Sequence, residues 1–139
     1  VKIPVISLWQ PWASLVARGV KSIETRHEPA PAELVGRRVA IYAAAKDSRP
    51  QVYQWLARCH GKELERALAG RGWEELPRGC VLAVATLKET RPADFRDLPE
   101  TLSPVEDFYA WVLSEIELLP TPLEFAAPGS GPFEVEISC

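Results

Sequence analysis

The chain has 139 residues, 47% of them hydrophobic and 25% charged, with a formal net charge of −3. That is the composition of one compact globular domain, able to bury roughly two-thirds of its unfolded surface without cross-links. It excludes collagen-like and disordered chains, and no apolar run approaches the roughly 18 residues of a membrane span.

The opening Val1-Lys2-Ile3-Pro4-Val5 lacks the apolar core of a signal peptide. Val5–Leu8 reads as a short strand. Gln10-Pro11 then opens a helix, with Pro11 at a first-turn position where its missing N–H costs nothing. Trp12, Leu15 and Val16 form its apolar stripe and Gly19 its stop. Ser22–Arg26 alternates as a strand, and Val39–Ala43 is another. A second helix begins near Pro50, with Val52, Trp55, Leu56 and Cys59 on one stripe, and Gly61 breaks it. Leu64, Ala67 and Leu68 suggest a shorter helix before Gly70. Cys80–Leu87 is continuously apolar, the pattern of a strand buried on both faces. Residues 103–118 are ambiguous: Ser103-Pro104-x-Glu106 resembles a helix start, whereas Tyr109–Leu118 is rich in strand formers. Phe133, Val135 and Ile137 alternate with glutamates, as in a half-exposed strand. Five or six strands and two or three helices in mixed order indicate an α+β fold with a small sheet or barrel as core.

The three cysteines, Cys59, Cys80 and Cys139, are too few and too scattered for a disulfide framework or a zinc site. A reduced, cytoplasmic setting, with no metal and no cofactor, is expected. The chain has no Asn, no Met and thirteen Pro, the direction of bias seen in heat-adapted proteins. Charge is uneven along it: residues 1–72 carry a net +6 and residues 73–139 a net −9. A local basic face on an acidic protein is therefore permitted.

Lys21, Glu24, Arg26 and His27 are the densest polar group. Period 2 puts Glu24 and Arg26 on one strand face, about 7 Å apart, with Lys21 in the preceding turn. Such a trio can bind phosphate or a polarised carbonyl; on spacing alone a surface ion-pair cluster without function is the first reading. Trp9-Gln10-Pro11-Trp12 places two indoles and an amide at a strand-to-helix turn, where an exposed indole can stack a base. Lys46 closes the Tyr42–Ala45 strand end. His27 and His60 lack the partners of a hydrolytic triad. Gly129-Ser-Gly131 lacks the lysine of a P-loop and reads as a turn, and Glu115-x-Glu117 reads as a solvated strand face.

Gln10-Pro11-Trp12-Ala13, followed by Gly19-x-Lys21-x-x-Glu24-x-Arg26, resembles the hallmark of the ASCH (activating signal cointegrator homology) domain. Gly36–Lys46, Leu76–Leu87, Tyr109–Leu113 and Gly129–Phe133 are similar to its later segments, so the resemblance covers nearly all of residues 1–139. It implies a single PUA-like domain: a small β-barrel with two or three helices packed at its ends, and residues 108–118 as a strand. It also implies a cleft beside the first helix that binds RNA, other nucleic acid or a modified nucleoside. Trp9, Gln10, Trp12, Lys21, Glu24, Arg26 and Lys46 would line it, with Lys21, Arg26 and Lys46 taking phosphate. One enzymatic branch hydrolyses an acetylated cytidine with a Lys and, three residues later, a Thr. Lys21 matches that Lys, but Glu24 stands in place of that Thr, and Thr25 lies on the other strand face. A hydrolase acting through Lys21 and Glu24 is the second expectation, and a protein-interaction module without a small ligand the third.

Overall fold

The computed structural model describes residues 2–125 and 134–137. Among them are six strands: β1 (Lys2–Leu8), β2 (Ile23–Arg26), β3 (Arg38–Ala43), β4 (Cys80–Pro92), β5 (Tyr109–Glu124) and β6 (Glu134–Glu136). They form one sheet in the order β2-β5-β4-β3-β1-β6. The helices are α1 (Trp12–Ala17), α2 (Pro50–Cys59), α3 (Gly61–Leu68) and α4 (Leu98–Thr101). This is the expected α+β class. The short α4 is an addition to the helices read from the sequence, since four residues carry no readable apolar period.

β1 and β3 pair in parallel, and the other neighbours are antiparallel. A parallel pair needs a crossover, and here it carries α1, which packs back on the sheet. Alternation then divides the core. Val39, Ile41 and Ala43 of β3 join Ile6, Leu8, Leu87 and Leu113 beneath Ala13, Val16 and Ala17 of α1. Ala40 and Tyr42 meet Ile3, Val81 and Val135 on the opposite face. Leu15 points away from the sheet into a third cluster with Leu56, Leu64, Ala67 and Leu102. Gly19, at φ 73°, takes the left-handed turn that ends α1 without the penalty of a Cβ.

Cys80–Leu87 is buried nearly throughout, as its apolar run requires, and the strand continues to Pro92. Residues 109–124 are strand, so the helix signal at Ser103 starts no helix; pairing with β4 on one side and β2 on the other decides the segment. Of the α2 stripe, Leu56 is buried but Cys59 is exposed, and Tyr53 takes the second buried position. Gly129–Gly131, Phe133 and Cys139 lie outside the described residues.

The expected closed barrel is not formed by the described pairings. β2 and β6 are the end strands, only four and three residues long, and no ladder joins them. The sheet nevertheless curls enough for a side chain to span from β2 to β1: Arg26 Nη2 donates to the Ser7 carbonyl at 2.7 Å.

Candidate functional site

The turn after β1 is built around Gln10. Its side chain is fully buried. Nε2 donates to Ser14 Oγ and to the Pro77 carbonyl, both at 2.8 Å, and Oε1 accepts from the Ser14 N–H at 3.0 Å. The amide thus satisfies an N–H at the start of α1 that has no partner within the helix. It follows that Gln10 shapes the turn from inside and presents no group to a ligand. The Gln10–Pro11 peptide is cis.

Two backbone bonds, Ala44 N to Leu8 O at 2.9 Å and Ser48 N to Gln10 O at 3.2 Å, lay the loop after β3 along this turn. They bring the exposed Lys46 ammonium to 4.8 Å from the centre of the Trp9 ring, a cation–π pair. The next residue locks the loop. Asp47 accepts from Arg78 Nη2 at 2.5 Å, from the Tyr53 hydroxyl at 2.7 Å and from the Ser48 N–H at 2.8 Å. Burial and the Asp47 carboxylate push the Tyr53 phenol pKa up, so the hydroxyl stays a donor.

Lys21, expected as a cleft cation, is 1% exposed. Its Nζ donates to the Thr101 carbonyl, lies 5.0 Å from the centre of the Trp12 ring and sits 3.9 Å from Glu24 Oε1. Burial lowers its pKa from 10.5 to about 8, with Glu24 opposing the shift. Glu24 Oε2 in turn faces Arg26 Nε at 3.5 Å, and the Arg26 guanidinium lies 5.0 Å over the Trp111 ring. The three charges therefore form a chain that runs from the interior to the surface. Its outer end opens into a groove of about 820 Å³ that Trp9, Glu24, Thr25, Arg26, His27, Phe108 and Trp111 help to line.

Of the expected site residues, Trp9, Glu24 and Arg26 meet in this groove and Lys46 sits beside it on Trp9. Lys21, Gln10 and Trp12 do not reach it. Trp12 is partly buried and packs against both the sheet cluster and the helical cluster, away from the groove. The wall that sequence reasoning missed comes from the second half of the chain. The Trp111 Nε1–H donates to the Glu28 carbonyl at 2.9 Å, and the Phe108 ring stacks on His27 at 4.6 Å. Only the pairing of β2 with β5, Glu24 opposite Trp111, brings them there. Among the described residues, no three His, Cys, Asp or Glu side chains converge as a metal site.

The mixed α+β sheet agrees with what known proteins show of this fold. The ASCH domain family model matches residues 6–120, and the chain belongs to that family. Among solved structures, it is similar to ASCH from Zymomonas mobilis, at 18% identity and a TM-score of 0.56, over 96% of this chain and 87% of that one. Two mutant forms of the Zymomonas protein align with a TM-score of 0.55. At that identity the likeness is one of fold. No curated protein matches the chain significantly.

Proposed function

We propose that the groove binds RNA, taking a single strand or a modified nucleoside between cation-backed aromatic rings. The observation that carries this reading is the pairing of each exposed cation with an indole at one groove: Arg26 on Trp111 and Lys46 on Trp9. Trp9 is 45% exposed, so a nucleobase has ring surface to stack on. Arg26 and Lys46 then meet phosphate, and Lys21, held inside, positions Glu24 instead of touching the ligand. A reducing, cytoplasmic setting goes with the reading, since Cys59 and Cys80 are both free thiols.

The test is a titration of intrinsic Trp fluorescence with short single-stranded and duplex RNA at several salt concentrations. Two phosphate contacts predict a slope of log affinity against log salt of about −1.4 for single strands. Lys46→Ala should reduce that slope by about 0.7 and leave the melting temperature unchanged. An unchanged slope in that variant removes Lys46 from the site, and absence of binding removes the reading.

A hydrolytic second reading rests on one observation, an amine of pKa about 8 set 3.9 Å from a carboxylate. It predicts product on a gel from the same mixtures, lost in Glu24→Gln; intact RNA after prolonged incubation would reject it.

A further inference from the structure

We infer that the groove selects an unpaired guanine, an inference that rests on the RNA-binding reading and names the base it takes. The argument begins with what Glu24 does not do. Its carboxylate is 14% exposed and lines the groove. Both neighbouring cations stand farther off than the roughly 2.7–2.9 Å of a charge-assisted hydrogen bond, at 3.9 Å for Lys21 and 3.5 Å for Arg26. Among the described residues neither carboxylate oxygen accepts a hydrogen bond. Glu24 therefore stands at the groove wall between two cations, with hydrogen-bonding capacity left on both carboxylate oxygens.

Unpaired bases are read on their Watson–Crick edges. Two adjacent acceptors fit two adjacent donors, and guanine alone among the four bases offers them, at N1–H and the N2 amino group. Adenine and cytosine alternate a donor with an acceptor, and the single donor of uracil is flanked by acceptors. On these bases one Glu24 oxygen would face another lone pair. Beyond its two donors, guanine presents the O6 acceptor, which calls for a donor beside the carboxylate.

Arg26 supplies that donor. Its Nη2 is spent on the Ser7 carbonyl and its Nε faces Glu24, while Nη1 has no hydrogen-bond partner among the described residues. This also decides against cytosine, whose edge would need one acceptor and two donors from the protein. The Trp111 ring backs the Arg26 guanidinium at 5.0 Å, and Trp9 offers a face for the base.

The experiment uses seven-nucleotide RNA strands of uridines with one central position varied: guanine, adenine, cytosine, uracil or inosine. Binding is followed by Trp fluorescence at constant salt. Guanine should bind about 10-fold or more tightly than adenine, cytosine or uracil, the discrimination of one good bidentate pair. Inosine, which keeps N1–H and O6 but lacks the N2 amino group, should lose several-fold of that advantage. In Glu24→Gln the preference should fall to within about twofold while the salt slope persists. If Glu24→Gln fails to fold, the inosine series on the unaltered protein decides alone. Salt-sensitive binding with equal affinity for all strands, a preference for cytosine, or inosine equal to guanine would each overturn the guanine inference and leave RNA binding standing. No binding by any strand would overturn both.

Discussion

Lys21 shows how far one residue's setting departs from its type. A lysine after a Gly-Val turn is ordinarily solvated, yet this one is enclosed by Trp12, Thr101 and Glu24. Enclosure disfavours the ammonium, and the nearby carboxylate recovers only part of that loss. The consequence for stability has a definite sign. Unfolded, Lys21 holds its proton up to its ordinary 10.5; folded, it releases it near 8. Between those values the unfolded state binds more protons, so raising the pH stabilises the fold, by at most about 1.4 kcal/mol per pH unit. Lys21→Met removes this contribution. Urea unfolding of both proteins at pH 7, 8.5 and 10 should show the variant's stability relative to wild type declining as pH rises. A difference that stays constant across that range would mean that Lys21 does not titrate there. Nothing local in the sequence signals this burial, because the carbonyl that receives the ammonium belongs to Thr101, eighty positions away. Glu24 and Arg26 were legible, since period 2 alone places them side by side.

At the scale of elements, groove geometry depends on two loops that carry no regular structure. The turn after β1 is held by Gln10 from within, and the loop after β3 by Asp47 from without. Arg78 joins the second of these to the approach to β4, donating to Asp47, to the Tyr53 hydroxyl and to the carbonyls of Trp73 and Leu76. Arg78→Ala should therefore cost about 2 kcal/mol in urea unfolding, the scale of hydrogen bonds to a charged group. It should also weaken RNA binding although Arg78 lies outside the groove, because Lys46 loses its anchored loop. Arg58→Ala, at an exposed position on α2, serves as the control and should change neither quantity. Binding unaltered by Arg78→Ala would mean that Lys46 does not need the anchored loop. The strands β1, β3 and β4 were readable from short apolar runs, and the helix α1 from its helical stripe. Pattern alone left residues 103–118 open, because strand and helix formers compete there; the family resemblance gave 108–118 as strand, and pairing with β4 and β2 forms it. Gln10 was legible as part of a motif but not in its role: an amide at a turn looks the same whether it faces ligand or core.

For the whole molecule, folding brings charges of the basic and the acidic half together at two places among the described residues. Arg38 of β3, in the basic half, reaches across β4 to Glu117 of β5, with Nη2 at 3.2 Å, and Arg78 of the acidic half pairs with Asp47 of the basic half. If the ligand is anionic, the groove meets it with two local cations, Arg26 and Lys46. The groove itself spans the curl of the sheet, drawing Trp9 from the end of β1 and Arg26 and Trp111 from β2 and β5, with the Arg26–Ser7 bond across the interval. β2 is an end strand of four residues, paired on one side only, and such strands open more readily than central ones. A ligand that bridges Trp9 to Arg26 must be released when β2 opens, so binding stabilises β2 by mass action. At a free RNA concentration 100 times Kd that amounts to about 2.7 kcal/mol, or roughly 100-fold slower opening. Native-state hydrogen exchange should accordingly show Ile23–Arg26 exchanging faster than Val81–Leu87 in the free protein and slowing by up to that factor with RNA. β6, at the far end of the strand order and outside the groove, provides the internal comparison and should keep its rate. Equal slowing of β2 and β6 would mean that these strands open together in one global event. Slowing confined to β6 would place the ligand on the opposite end of the sheet.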